Sequence, residues 1–171
     1  HVFLQAGVGG MAAGIISGIA KYFKRIPKII VIEPENANCV MKSIKYGYQK
    51  KVNIQKQSIM GGMSCAEVSL VPWRILKNAV NNCVSVSDKY VPQTLTMLAK
   101  KKFSDKKIIA GECSTPGVIS VISCCNDPLV KKKLEINEES NILIIGCEGD
   151  TDKNLYNKLY KIGNQKLKKY D

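Results

Sequence analysis

Apolar residues fall into two patterns along this chain: short unbroken runs, and longer stretches in which they recur every three or four positions. Val2–Gln5 (VFLQ) is a run, and Met11–Lys24 after it carries Met11, Ile15, Ile16, Ile19 and Phe23 near helical period. Lys21, Lys24 and Arg25 gather where the negative pole of that helix would lie, and Pro27 closes it. Lys28–Ile32 (KIIVI) is a β-branched run of the kind buried on both faces of a parallel sheet. Pro34 and Asn36 lead into a helix through Cys39, Met41 and Ile44 that stops at Gly47. Lys51–Ile54 reads as a further short strand, Gln57–Glu67 as a loop rich in Gly, Met and Ser, and the residues from Pro72 to about Asn81 as a helix. Cys83–Val86 reads as a strand, and Ser87 or Asp88 as the cap of a helix through Lys101. Lys107–Ala110 leads into a strand end at Gly111 and then an apolar helix through Cys124; Asn141–Ile145 (NILII) is the last strand, and a polar helix follows Asp152.

This alternation predicts an α/β fold with a mainly parallel sheet and helices on both faces. With 171 residues, 45% of them hydrophobic, and no internal repeat or linker, the chain suits one domain with a single core. It opens inside an apparent strand without Met, which suggests part of something longer. No apolar run approaches the ~20 residues of a membrane span, so no membrane partner is expected.

A net charge of +12 raises the question of nucleic acid. The lysines are spread along the chain, with short clusters only at Lys100–Lys102, Lys106–Lys107 and Lys131–Lys133, and no aromatic residues interleave with them. A solvated lysine-rich surface is expected, not a nucleic-acid partner. Seven cysteines form no CxxC pair and have only His1 for company, so no metal site is predicted. An odd cysteine count without a secretion signal points to a reducing, cytoplasmic setting.

The sharpest local signal is the segment Ala6-Gly7-Val8-Gly9-Gly10-Met11 between a strand and a helix. Successive backbone N–H groups at a helix N-terminus seat a phosphate, and glycine permits the close approach. The same residues fit GxGxx(G/A) as Gly7-Val8-Gly9-Gly10-Met11-Ala12, and Glu33 ends the next strand where a ribose-binding acid would sit. A nicotinamide-dependent oxidoreductase is therefore one reading, and a tight strand–helix turn with no ligand is another. Glu148, Asp150 and Asp152 form an acidic group without the spacing of a calcium loop; a solvated turn capping the next helix is expected there.

Taken together, HVFLQAGVGGMAAG, IIVIEPENANC, IMGGMSCAE, IIAGECSTPG and EGDTD resemble, in order and over nearly the whole chain, the diaminopropionate ammonia-lyase family of fold-type-II (tryptophan synthase β-like) pyridoxal 5'-phosphate (PLP) enzymes. The resemblance implies that the chain is a C-terminal piece, mostly of the large cofactor-binding domain. It implies α,β-elimination of 2,3-diaminopropionate to pyruvate and ammonia in a cytoplasmic homodimer. A related threonine or serine dehydratase is the alternative within the class.

By the same resemblance Gly7, Val8, Gly9, Gly10 and Met11 would bind the cofactor phosphate, and Glu112 would lie at a strand end near the pyridine ring. A residue with a hydroxyl is usual where this chain has Gly146, so Cys147 or a water would take over the ring-nitrogen contact. Cys113 stands where serine is usual, and Ser114-Thr115-Pro116 replaces a small Gly-Ala-type stretch. Cys39 and Cys65 match a pair able to form a disulfide, which would close a loop of about 25 residues. The Schiff-base lysine and the acid–base carboxylates of the family lie before the phosphate loop. No residue of this chain is therefore assigned as catalytic, and the isolated chain is expected to be inactive.

Overall fold

The computed structural model describes residues 1–168. Four parallel strands, β1 (Val2–Gln5), β2 (Ile29–Pro34), β3 (Asn82–Val86) and β4 (Leu143–Ile144), form one sheet in the order β3-β2-β1-β4. Val2 pairs with Ile29 on one side and Leu143 on the other, and the β2–β3 ladder runs from Ile30 and Asn82 to Pro34 and Val86. The order turns back on itself between β1 and β4. At such a switch point the loops leaving two neighbouring strands diverge and leave a crevice at their carboxyl ends.

Side-chain alternation along the buried strands sends residues to two opposite cores. Val2, Leu4, Ile29 and Val31 pack with Ala12, Ala13, Ile16 and Ile19 of α1 (Gly10–Tyr22), Val40 of α2 (Cys39–Tyr46), and Trp73 and Leu76 of α3 (Leu70–Ala79). Phe3, Ile30 and Ile32 pack on the other face with Leu95 of α4 (Val91–Ala99), Ile119 of α5 (Pro116–Asn126), Leu134 of α6 (Pro128–Leu134) and Leu159 of α7 (Lys153–Leu167). The expected α/β architecture with helices on both faces is therefore present.

Several expected elements differ locally. Lys51–Ile54 is not a strand: Val52 donates a single hydrogen bond to the Ala66 carbonyl and meets no ladder. Helix α3 starts at Leu70, two residues before Pro72, because a first-turn proline gives up an N–H that would have no partner in any case. Neither Ser87 nor Asp88 caps α4. A 3-10 turn, Asp88–Tyr90, precedes that helix, and the Asp88 carboxylate accepts from Ser58 Oγ at 2.6 Å and the Ile59 N–H at 3.0 Å, pinning the Gly/Met/Ser loop instead. Among the described residues Lys107–Gly111 carries no strand, and β4 is confined to Leu143–Ile144. Helix α6, which periodicity does not reveal, is capped by Asp127, whose Oδ1 accepts from the Leu129 and Val130 N–H groups. No helix among the described residues is long and apolar enough to cross a membrane.

Candidate cofactor site

The loop leaving β1 enters α1 with no side-chain cap, and α1 has no acidic residue in its first turn. The N–H groups of Gly9, Gly10, Met11 and Ala12 meet no acceptor among the described residues. Gly9 has φ 92°, and a Cβ there would stand 2.7 Å from Leu76 Cδ1. Only glycine suits that left-handed, crowded position. A Cβ on Gly7 would lie 2.5 Å from the Gly62 carbonyl oxygen, so the β1 loop and the 3-10 turn Gly61–Met63 touch backbone to backbone. Donors without partners, a positive helix pole and no competing carboxylate make an anion cradle.

Beside it a cavity of about 430 Å³ is lined by Gln5, Gly7, Met11, Gly62, Met63, Cys113, Cys147, Glu148, Gly149 and Thr151. It lies at the β1/β4 switch point, between the loops that leave those strands. The loop after β4 is locked to the Glu112 segment: the Gly111 N–H donates to the Glu148 carbonyl at 3.0 Å, the Glu148 N–H donates to Ser114 Oγ at 2.6 Å, and Glu148 Oε2 accepts from the Cys113 N–H at 2.8 Å. Glu112 opens a 3-10 turn and does not line the cavity, but its carboxylate, Cys113 Sγ and the Glu148 carboxylate lie within 4.8 Å of one another. Burial, then the negative charges of Glu148 and Asp152, raise the Glu112 pKa. The expected solvated acidic turn is thus divided: Asp152 does cap α7, accepting from the Leu155 N–H at 2.9 Å, while Glu148 turns inward.

Of the residues assigned from the sequence, Gly7, Met11 and Cys147 line the cavity, Gly9 and Gly10 form the cradle beside it, Val8 is exposed and does not line it, and Gly146 precedes Cys147 in the chain. Gln5 was missed. Its signal was available: a polar residue closing an otherwise apolar buried strand. The Cys39–Cys65 bridge is not formed. Both are free thiols, Cys39 Sγ donating to the Gly7 carbonyl at 3.6 Å and Cys65 Sγ to the Gly62 carbonyl at 4.0 Å.

Glu33 is a correction to the nicotinamide reading. It is fully buried, and its two oxygens accept from the Val40 and Met41 N–H groups at 2.8 and 2.7 Å, so it anchors α2 and offers nothing to a ribose. Burial outweighs those bonds and raises its pKa to about 7 from 4.5. A carboxyl whose folded pKa exceeds its unfolded one stabilises the fold most below the unfolded value, and that stability is lost as pH rises through the folded value. Between pH 4.5 and 7 the loss from Glu33 amounts to about 3 kcal/mol. Unfolding free energies obtained from urea titrations between pH 5 and 8 are expected to fall by about that amount, and in Glu33→Gln this part of the slope is absent; a Gln variant with the parent's slope refutes the assignment.

The comparisons with known proteins agree with the geometry. A family model described as "Pyridoxal-phosphate dependent enzyme" matches residues 1–148. This chain belongs to that family. Diaminopropionate ammonia-lyase of Escherichia coli K12 is 31% identical over 93% of the chain, and that of Salmonella typhimurium LT2 is 29% identical over 91%. The crystal structure of the Escherichia coli enzyme in complex with D-serine superposes with a TM-score of 0.83 at 30% identity over 95% of this chain, and its complex with an aminoacrylate–PLP azomethine intermediate with 0.81. Maize serine racemase, 19% identical with a TM-score of 0.72, shares the fold. The chain spans about two fifths of its relatives: 41% of the Escherichia coli enzyme's length. PLP is the cofactor of this family, and an anion cradle joined to a cavity at the switch point fits a phosphate ester with a planar ring.

Proposed function

We propose that this chain forms the phosphate- and ring-binding part of the cofactor site in a PLP-dependent ammonia-lyase acting on 2,3-diaminopropionate, and that residues 1–171 are mostly its large cofactor-binding domain. The observation that carries this reading is the set of unpaired N–H groups from Gly9 to Ala12 at the mouth of a cavity where the sheet order reverses. These amides hold the phosphate dianion, with Gly7 and Val8 completing the loop. Met11 and Met63 form an apolar wall that keeps water from the ring. Glu148, locked through the Cys113 and Ser114 contacts, borders the opposite side, with the Glu112 carboxylate next to it but outside the lining. When bound, PLP supplies the electron sink that stabilises a carbanion at the substrate's α carbon.

Among the described residues no lysine lines the cavity, which supports a Schiff-base lysine from outside this chain. The whole protein is read as a cytoplasmic homodimer, and the isolated chain as inactive. In fluorescence titration the chain is expected to bind PLP saturably and NADH not at all. Mixed with PLP, it releases no pyruvate from 2,3-diaminopropionate, whereas the whole protein releases it faster from that substrate than from serine, and faster than it forms 2-oxobutanoate from threonine. Pyruvate from the chain alone, absence of PLP binding, or a preference for threonine overturns the corresponding part of this reading.

A further inference from the structure

Ten consecutive residues between α4 and the Glu112 turn, Lys100–Ile109, are exposed. They carry five lysines, Lys100, Lys101, Lys102, Lys106 and Lys107, against one acid, Asp105. Phe103, Ile108 and Ile109 stand among them, 45%, 41% and 38% exposed. The excursion is nonetheless held at its root. The Lys101 N–H donates to the Leu98 carbonyl at 3.2 Å, the Lys102 N–H to the Met97 carbonyl at 3.0 Å, and the Ile108 N–H to the Leu98 carbonyl at 3.2 Å.

The first two of those bonds close α4 in the manner that usually places glycine at the position of Lys101. Lys101 has φ 59°, the left-handed backbone in which a Cβ is strained. Among the described residues one other non-glycine residue stands there, Glu135, and it makes the only ion pair, with Lys28. The strain at Glu135 is thus offset within the protein. Lys101 has no ion pair among the described residues, and of the loop lysine ammonium groups only that of Lys100 meets an acceptor, the Asn164 side-chain oxygen. Four ammonium groups, a phenyl ring and two isoleucines therefore share one outward face. The solvated lysine surface expected from the sequence accounts for the charges but not for the exposed ring or the strained lysine.

We propose that the Lys100–Ile109 loop docks the protein on an anionic lipid surface, its lysines against the headgroups and Phe103 in the boundary between headgroups and acyl chains. Such binding is peripheral and needs no apolar span. The composition favours lipid over single-stranded nucleic acid. One ring cannot stack successive bases, and the loop has no arginine, asparagine or glutamine to read a base edge. No residue of the loop lines the cofactor cavity, so docking leaves that site open.

The test sediments the whole protein with vesicles of phosphatidylcholine alone and of equal parts phosphatidylcholine and phosphatidylserine. It is expected to pellet only with the second kind, and to be released as salt rises. Lys101→Gln, Lys102→Gln and Lys107→Gln together are expected to weaken binding about 100-fold, about fivefold for each ammonium withdrawn. Withdrawing as much charge from α6, by Lys131→Gln, Lys132→Gln and Lys133→Gln, should change it no more than about twofold, because those residues lie outside the docking face. In Phe103→Trp the emission is expected to move to shorter wavelength when phosphatidylserine vesicles are added. Lys101→Gly separates binding from folding: relief of the strain raises Tm by about 2–4 °C while vesicle binding weakens about fivefold. Should the triple loop variant fail to fold, Lys101→Gly carries the test by itself. The proposal is overturned if phosphatidylserine vesicles leave the protein in solution, if the two triple variants lose binding equally, or if the Phe103→Trp emission does not move. Binding to a single-stranded oligouridylate with none to vesicles also overturns it, and assigns the loop to nucleic acid.

Discussion

Gly7→Ala is expected to lose PLP affinity by about 100-fold or more while the protein stays folded. The added Cβ would lie 2.5 Å from the Gly62 oxygen, 2.9 Å from Cys65 Sγ and 3.4 Å from Met63 Cα. The thiol can rotate aside; the carbonyl cannot. It belongs to a 3-10 turn held by Met63 N–H to Met60 O at 2.9 Å and Ser64 N–H to Gly61 O at 3.1 Å, with Met63 buried beneath it. The β1 loop must therefore shift by about 1 Å, and the cradle amides move with it. Misaligning two hydrogen bonds to a dianion removes about 3 kcal/mol or more, against a fold cost of about 1–3 kcal/mol for the overpacked contact. PLP titration beside a thermal melt separates the two. Gly18→Ala is the control, since it lies on α1 outside the loop and a Cβ there meets nothing within 4 Å, and its affinity should stay within about twofold. Equal binding by Gly7→Ala and the parent would show that the loop is not the phosphate seat.

What the sequence revealed, and what it hid, follows from the range of the interactions involved. The β1–loop–α1 unit was legible because its signals are local: an unbroken apolar run, a glycine with φ 92° and a helical period sit within about two dozen residues. The core was legible for the same reason, since runs such as IIVI bury on both faces wherever the sheet places them. The site's far wall was not. Glu148 turns inward because a Cys113 N–H is 35 residues away in sequence, and Asp88 leaves its helix for Ser58 and Ile59. Both carry good local capping patterns, and tertiary partners outbid them. Glu33 misled in another way: it stands at the strand end where a ribose acid belongs, but the α2 amides claim it. Lys51–Ile54 alternates like a strand, yet it joins no ladder among the described residues, Val52 bonding only the Ala66 carbonyl.

Gly163→Ala addresses the fold with little regard to the cofactor. Helices α4 and α7 cross where Gly163 rests on Pro92 and Thr96, and Thr96 Oγ1 already donates to Pro92 O at 2.9 Å and Tyr160 O at 3.2 Å. A Cβ on Gly163 would overlap the Pro92 oxygen and Thr96 Oγ1 and stand 2.6 Å from the Pro92 carbonyl carbon. Two effects oppose each other. Alanine in a helix interior gains about 1 kcal/mol over glycine. Against that, the overlap drives the helices apart and loosens Tyr156 and Leu159 from Val91 and Leu95 in the core, a loss of about 4 kcal/mol. The overlap wins by about 3 kcal/mol net, which lowers Tm by about 10 °C in a chain of this size. Tyr156 and Leu159 lie four and seven residues beyond Asp152 on α7, and the α7 cap itself is made by local bonds, so whatever fraction remains folded at 20 °C should bind PLP as the parent does. A melt unchanged by this substitution would mean that α4 and α7 do not pack as described. A folded variant that no longer binds PLP would mean that their packing sets the position of the Glu148–Asp152 loop.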